Sequence, residues 1–84
     1  MTAQDKVLDA GHEDVILIEN PHYDDALVGV TTDGRAVYDF DKMVAGLMAG
    51  EGWSELEAIE WIEYNTIRAL PYAGPNGPVI MRPV

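Results

Sequence analysis

Apolar and polar positions divide the chain into short β-like segments followed by two helical segments. The first segment, Val15–Ile18, is an apolar run rich in β-branched residues that ends before Pro21, and its length favours a strand. Two further β-rich runs, 26–32 and 35–39, are separated by Asp33-Gly34. Because an Asp-Gly pair is typical of a type I′ turn, this pattern predicts a β-hairpin.

A two-residue turn also predicts the register of this hairpin. It would place Val30 opposite Val37 and Val28 opposite Asp39. One face of the hairpin would then carry Val28, Val30 and Val37, and we predict that this valine face is buried. The opposite face would carry Leu27, Gly29, Thr31, Ala36 and Tyr38.

The first helical segment is predicted over Phe40–Ala49. Asp39 can cap its N-terminus, and Gly50 is placed to end it in the left-handed conformation. Its apolar residues recur at helical spacing and indicate one buried stripe. The stripe consists of Phe40, Met43, Val44, Leu47 and Met48.

The second helical segment begins at Ser54, where the pattern S-x-x-E forms a capping box with Glu57. It is predicted to run to about Ala69 and to end before Pro71. Two residues depart from its apolar and polar pattern. Glu63 is an acid predicted among the apolar residues, and Trp61 is a large aromatic predicted on the solvent side. The predicted apolar face consists of Leu56, Ile59, Ile62, Thr66 and Ile67.

These elements predict an α+β fold. A small antiparallel β-sheet, made of the hairpin and one or two further strands, would be covered on one face by a two-helix hairpin. Val79–Met81 is predicted as a short edge strand between prolines. Residues 1–14 are polar and are predicted to be a flexible lead-in with a helical turn around Gln4–Ala10, whereas residues 15–84 form a single domain.

Charge narrows the range of functions. The chain has 84 residues, 15 acids and five bases, and therefore a net charge of −10. Such a field repels nucleic acid and anionic membranes and attracts basic surfaces, although acidity also serves solubility. Two helices joined by a glycine-containing turn resemble a helix-turn-helix, but the second helix carries four Glu and only Arg68. We therefore expect no direct nucleic-acid binding.

Catalytic and metal-binding patterns are missing from the sequence. There is no cysteine, and Ser54, the single serine, is explained by its capping role. His12 and His22 each lie beside acids, but a metal site needs three or four converging ligands. We predict no enzyme, no cofactor and no metal. The N-terminal residues have no signal-peptide pattern and no apolar run could span a membrane, so the expected location is the cytoplasm.

The acids form the candidate binding surface. Acids also gather at turns and helix starts for capping and dipole reasons, and this explains several of them individually. It does not explain why so few bases balance them. The residues predicted to contact a partner are Asp24, Asp25, Asp33, Asp41, Glu51, Glu57, Glu60 and Trp61.

Three stretches carry a resemblance to a known family. They are residues 25–38, 41–44 and 60–72, and the last contains the most specific part, EYNTIRALPY. They resemble a family of short acidic proteins of phages and mobile elements of gut bacteria. The resemblance implies no activity, cofactor or catalytic residue. It implies a setting, since small acidic phage proteins are often inhibitors of host defence, including anti-CRISPR proteins, some of which mimic nucleic acid.

Two functional hypotheses follow from the sequence. In the first, the protein is a phage-type inhibitor that acts in the host cytoplasm and blocks a nucleic-acid-handling defence complex. Its acidic surface would mimic nucleic acid and occupy a basic surface of a host protein or ribonucleoprotein, with a CRISPR effector as the sharpest example. In the alternative, it is a small accessory or structural interaction module whose acidity only serves solubility. The interface of that module would be apolar and centred on Trp53, Trp61 and Tyr72.

Overall fold

A computed structural model describes residues 1–19 and 21–84, and it confirms the α+β fold class. Among these residues, no helix is both long and apolar enough to cross a bilayer. In chain order, the elements are α1 (Ala3–Asp9), a 3₁₀ turn (Asp24–Ala26), β1 (Leu27–Val30), β2 (Ala36–Asp39), α2 (Phe40–Glu51), α3 (Glu55–Trp61), a π-helical segment (Ile62–Thr66), a 3₁₀ segment (Ile67–Ala73) and β3 (Val79–Met81).

The predicted hairpin is present, but its loop is one residue longer than predicted. Thr31 N donates to Arg35 O at 2.8 Å, and Gly34 N donates to Thr31 O at 3.0 Å. Gly34 has a φ of 85°, whereas Asp33 is not among the residues with positive φ. A type I′ turn would need positive φ at both central residues, so the chain instead forms a three-residue loop with a bulge glycine.

The longer loop changes which face of the hairpin is buried. Val30 pairs with Ala36 instead of Val37, and a further irregularity interrupts β1 at Val28. Val28 is 43% exposed, whereas Val30 packs against the core. The prediction of a buried valine face is therefore wrong, because a one-residue shift in register reassigns the side chains to the two faces. The buried apolar side chains of the hairpin are Leu27, Ala36 and Tyr38.

The sheet is mixed rather than antiparallel. β2 lies in the centre, with β1 antiparallel on one side and β3 parallel on the other. The predicted strand Val79–Met81 is confirmed, and Val79 pairs with Val37. Its parallel direction follows from the connection, because α2, α3 and the 3₁₀ segment carry the chain back across the sheet between β2 and β3.

The strand predicted at Val15–Ile18 is not formed. This segment carries no ladder pairing, although Ile18 is buried and belongs to the core. The N–H of Ile18 donates to the Tyr38 hydroxyl at 3.0 Å. The Tyr38 side chain of the central strand therefore accepts the hydrogen bond that, in a sheet, a backbone carbonyl of a neighbouring strand would accept.

The part of the chain predicted as a flexible lead-in, residues 1–14, contains helix α1. Ala3 and Val7 are buried in the same core as the sheet residues. The N–H of Ala3 donates to Asp24 Oδ1 at 2.8 Å, and Lys6 Nζ donates to Asp24 O at 2.6 Å. These contacts attach α1 to the 3₁₀ turn. Residues 1–14 therefore pack with the rest of the domain rather than forming a separate lead-in.

Helix α2 begins as predicted, since Asp39 Oδ1 accepts a hydrogen bond from Lys42 N at 3.1 Å. Its end is later than predicted, because the helix continues through Gly50. The left-handed residue is Gly52, with a φ of 71°, and its N–H donates to Met48 O at 3.1 Å. Met48 is partly exposed, whereas the other four residues of the predicted stripe are buried: Phe40, Met43, Val44 and Leu47.

Helix α3 starts at the predicted capping box but does not continue as an α-helix to Ala69. After Trp61 the hydrogen bonds widen to a π-helical pattern, in which the N–H of Ile67 donates to Ile62 O. The chain then tightens into the 3₁₀ segment, which contains Pro71. Because proline has no N–H to donate, an α-helical ladder could not continue through this residue.

The buried face of α3 also differs from the prediction. Ala58 and Ile62 are completely buried, and Thr66 is buried on the same stripe at a spacing of four residues. Leu56, predicted as a core residue, is 65% exposed. The small side chain of Ala58 allows the helix to approach the core closely. The predicted apolar face was chosen from large apolar residues and therefore did not include this alanine.

Candidate binding surface

The chain from the end of α2 to the π-helical segment carries an acidic stretch that no base interrupts. Between Lys42 and Arg68 the chain contains five acids and no base. All five acids are exposed in the structure. They are Glu51 at the end of α2, Glu55, Glu57 and Glu60 in α3, and Glu63 in the π-helical segment.

A shallow groove lies on the solvent side of α3, beside these acids. Its walls include the rings of Trp53 and Trp61, whose centroids are 6.0 Å apart with an angle of 41° between their planes. The groove has a volume of about 400 Å³. Its remaining lining residues are Glu57, Glu60, Tyr64 and Asn65.

The capping box holds one side of this groove in place. Ser54 N donates to Glu57 Oε1 at 2.9 Å, and Glu57 N donates to Ser54 Oγ at 3.2 Å. Hydrogen bonding from the Ser54 backbone, followed by that from its side chain, lowers the pKa of the Glu57 carboxyl below its ordinary value. The two reciprocal bonds fix the backbone at the start of α3, directly after Trp53.

The π-helical segment shapes the other side of the groove. Asn65 Nδ2 donates to Trp61 O at 3.0 Å, so the amide side chain satisfies a carbonyl at the end of α3. Tyr64 and Asn65 follow Trp61 by three and four residues, a spacing that places side chains on the same face of a helix, and both line the groove beside it. Tyr64 is 66% exposed.

The structure brings together three of the eight residues predicted to contact a partner. Glu57, Glu60 and Trp61 line the groove, and Glu51 is exposed at the end of α2, before the turn that leads to Trp53. The other four residues, Asp24, Asp25, Asp33 and Asp41, belong to the 3₁₀ turn, the hairpin loop and the start of α2. None of these four lines the groove.

Two of the predicted contact residues that lie outside the groove have internal partners. Asp24 is half-buried, and its carboxylate accepts a hydrogen bond from the N–H of Ala3. The Asp33 carboxylate accepts a hydrogen bond from the Thr31 hydroxyl within the hairpin loop. Asp24 therefore joins α1 to the fold, and Asp33 supports the turn.

Glu63 is not on the buried face. An acid among the apolar residues would need a partner, such as Arg35 or Arg68, or a place at the edge of the packed face, but Glu63 is exposed. Arg35 Nε instead donates to Gly77 O at 2.9 Å, and the Arg68 guanidinium carbon lies 5.7 Å from the centre of the Tyr64 ring. The acid was misplaced because the predicted apolar face of α3 was rotated toward it.

The groove contains residues that sequence reasoning did not assign to the site. Tyr64 and Asn65 follow Trp61 by three and four residues, and this helical spacing is the signal that could have assigned them to the same surface. Trp53 was assigned only to the apolar interface of the alternative hypothesis. That interface also included Tyr72, which is 92% exposed and does not line the groove.

The histidines lie apart from this surface. His12 is half-buried beside α1 and β1, and His22 is exposed. Within residues 1–19 and 21–84, no three His, Asp or Glu side chains are grouped so that they could hold a metal ion.

Replacing Ser54 with alanine should reduce the free energy of unfolding at pH 7 by about 1 kcal/mol, because the helix loses its side-chain cap. The pH dependence should also change. A carboxyl whose pKa is lowered in the folded state stabilises the fold above its unfolded pKa, here about 4.5, and this contribution is lost as the pH falls through the folded value. Urea unfolding at pH 7 and at acidic pH measures both effects.

The matched control for this prediction is Glu57→Gln, which keeps an acceptor oxygen but cannot titrate. Its stability should decrease less than that of the unmodified protein as the pH falls below about 4.5. An unchanged pH dependence in Glu57→Gln would show that the capping box does not contribute to acid sensitivity.

Comparisons with known proteins identify no relative. The chain matches no protein-family model, and neither a curated protein sequence nor a solved structure is significantly similar to it. The resemblance to short acidic proteins of phages and mobile elements therefore stays a prediction.

Proposed function

We propose that this protein is a non-catalytic inhibitor that binds a basic surface of a nucleic-acid-handling protein complex. In its most specific form, it is a phage-type protein that blocks a host defence complex such as a CRISPR effector. The observation that carries the proposal is the acidic stretch between Lys42 and Arg68, where five exposed acids have no base among them.

The density of these charges is close to that of a nucleic-acid strand. With a rise of about 1.5 Å per residue, Glu55 to Glu63 span about 12 Å of helix and present four carboxylates, or one charge per 3–4 Å. A strand of duplex DNA presents one phosphate per about 3.4 Å of axis. Lysine and arginine residues that normally hold phosphates could therefore meet carboxylates at a similar density.

The net charge of −10 supports the same partner chemistry. A negative field around a chain of this size raises the association rate with a basic protein surface and opposes binding to nucleic acid itself. Inhibition would then be steric and electrostatic, because the protein occupies the channel that the nucleic acid needs.

A second candidate is an interaction module with an apolar interface, in which the charge only serves solubility. The observation that favours it is the exposure of large side chains on and after α3. Leu56 is 65%, Tyr64 66% and Tyr72 92% exposed. Salt separates the two candidates, since an electrostatic complex weakens steeply as salt is added and an apolar one does not.

The test is binding to a purified CRISPR effector and the loss of DNA binding by that effector. A triple variant, Glu51→Gln, Glu55→Gln and Glu63→Gln, should weaken the complex about tenfold or more at low salt. The matched control neutralises three exposed acids at the other end of the chain: Asp9→Asn, Glu13→Gln and Asp14→Asn. Because it changes the net charge equally, it should weaken binding by less than about threefold.

Equal effects of the two triple variants would assign the binding to net charge alone rather than to the acidic stretch. Unchanged DNA binding by every effector tested, at an excess of this protein, would contradict the inhibitory function. A complex that forms equally well at low and high salt would favour the apolar interaction module.

A further inference from the structure

We propose that the groove between Trp53 and Trp61 binds an arginine side chain of the partner. This inference deepens the proposed function, on which it rests, by naming the group that the surface recognises. Its basis is the composition of the groove, in which the two indole rings and Tyr64 lie beside Glu57 and Glu60, without a base among the lining residues.

Aromatic rings and carboxylates together suit a cation. The face of an indole ring attracts a positive charge, and a nearby carboxylate pairs with it. A phosphate group would be repelled by both acids, and an apolar side chain would leave them without a partner. Charge complementarity therefore selects a basic side chain as the occupant.

Arginine fits this groove better than lysine does. Its guanidinium is planar and weakly hydrated, so it can stack on an aromatic ring while its N–H groups donate to a carboxylate. The two tryptophan rings are 6.0 Å apart and tilted by 41°, and they provide an extended aromatic wall rather than a closed cage. Lysine is a compact, strongly hydrated charge and would gain less from such a wall.

Glu60 is the acid that remains available for this contact. Glu57 Oε1 already accepts the N–H of Ser54 in the capping box. Glu60 is exposed one residue before Trp61 and lines the same groove. An arginine on the tryptophan rings would therefore meet Glu60 as its principal carboxylate.

The chain already contains an arginine placed over an aromatic ring of this groove. The guanidinium carbon of Arg68 lies 5.7 Å from the centre of the Tyr64 ring. Arg68 itself does not line the groove. It provides an internal example of the cation–ring contact that we assign to the partner's arginine.

Tryptophan fluorescence tests this inference directly, because both tryptophans of the chain line the groove. The probes are three capped peptides in which glycine alternates with arginine, with lysine or with citrulline. The arginine peptide should change the fluorescence in a saturable manner and bind about threefold more tightly than the lysine peptide. The citrulline peptide, which has no charge, should have no effect.

Two variants locate the carboxylate. Glu60→Gln should weaken binding of the arginine peptide about tenfold, because a charge-assisted pair is lost. Glu63→Gln removes the same charge from an exposed acid outside the groove and should weaken it by no more than about twofold. Equal effects of the two variants, or equal binding of the arginine and lysine peptides, would overturn the inference.

The outcome is separable from that of the proposed function. Selective binding of the arginine peptide without binding to any effector would support the groove and contradict the inhibitory function. Loss of effector binding in the triple variant, together with a Glu60→Gln variant that behaves like Glu63→Gln, would support the function and overturn the assignment of the groove.

Discussion

Replacing Ile62 with alanine should reduce the free energy of unfolding by about 3 kcal/mol. Ile62 is completely buried at the point where α3 changes into the π-helical segment. Truncation there loses the transfer free energy of the removed carbons and leaves a cavity in the core. Urea unfolding measures the effect. An unchanged slope of the free energy of unfolding against urea concentration would show that the denatured state is not altered.

The matched control is Leu56→Ala in the same helix. The apolar pattern predicts both residues to be in the core, but Leu56 is 65% exposed. Its truncation should change the free energy of unfolding by no more than about 0.5 kcal/mol. A loss for Leu56→Ala as large as that for Ile62→Ala would mean that the helix presents the face predicted from sequence, not the face seen in the structure.

Replacing Tyr38 with phenylalanine should reduce the free energy of unfolding by about 2 kcal/mol. The Tyr38 hydroxyl accepts the N–H of Ile18 at 3.0 Å in a buried position, and burial raises the pKa of this tyrosine above its ordinary value. Without the hydroxyl, the Ile18 N–H would be buried without a partner. Amide hydrogen exchange at Ile18 should become faster, because the segment loses its attachment to the central strand.

Tyr72→Phe is the control for this prediction. Tyr72 is 92% exposed, so loss of its hydroxyl should leave the stability within about 0.5 kcal/mol of that of the unmodified protein. Unchanged exchange at Ile18 in the Tyr38→Phe variant would show that the extended segment is held by other contacts.

Local chemistry explains what could be predicted of the fold. The Ser54 capping box, the Asp39 cap and the edge strand at Val79–Met81 each depend on neighbours in sequence, and all are present. The buried stripe of α2 was also predicted, because its apolar residues follow one helical period closely. Such features need no knowledge of the rest of the chain.

The register of the hairpin could not be predicted, because it depends on one backbone angle. Asp33-Gly34 is compatible with a two-residue turn and with a three-residue loop, and the choice is made by whether Asp33 adopts positive φ. The longer loop is favoured because it pairs Val30 with Ala36, so that Val30 packs against the core that contains Ala36. That preference comes from tertiary packing, which a local turn signal does not contain.

The candidate site was predicted only in part. Glu57, Glu60 and Trp61 were identified from charge and residue type, and they line one groove. Tyr64 and Asn65 follow Trp61 at the spacing that places side chains on one helix face, but a prediction based on acidic charge does not select them. The π-helical segment itself was not predicted, because the local propensities of its residues do not distinguish it from an α-helix.

The parallel edge strand β3 leaves one edge of β2 unpaired until late in the synthesis of the described chain. β3 leaves the ribosome after every other element described, yet it covers one edge of the central strand β2. Until Val79–Met81 has emerged, β2 can be paired only with β1, and its other edge presents free N–H and C=O groups. This edge of β2 is therefore exposed to strand pairing with other chains during the interval, and pairing with β3 covers it.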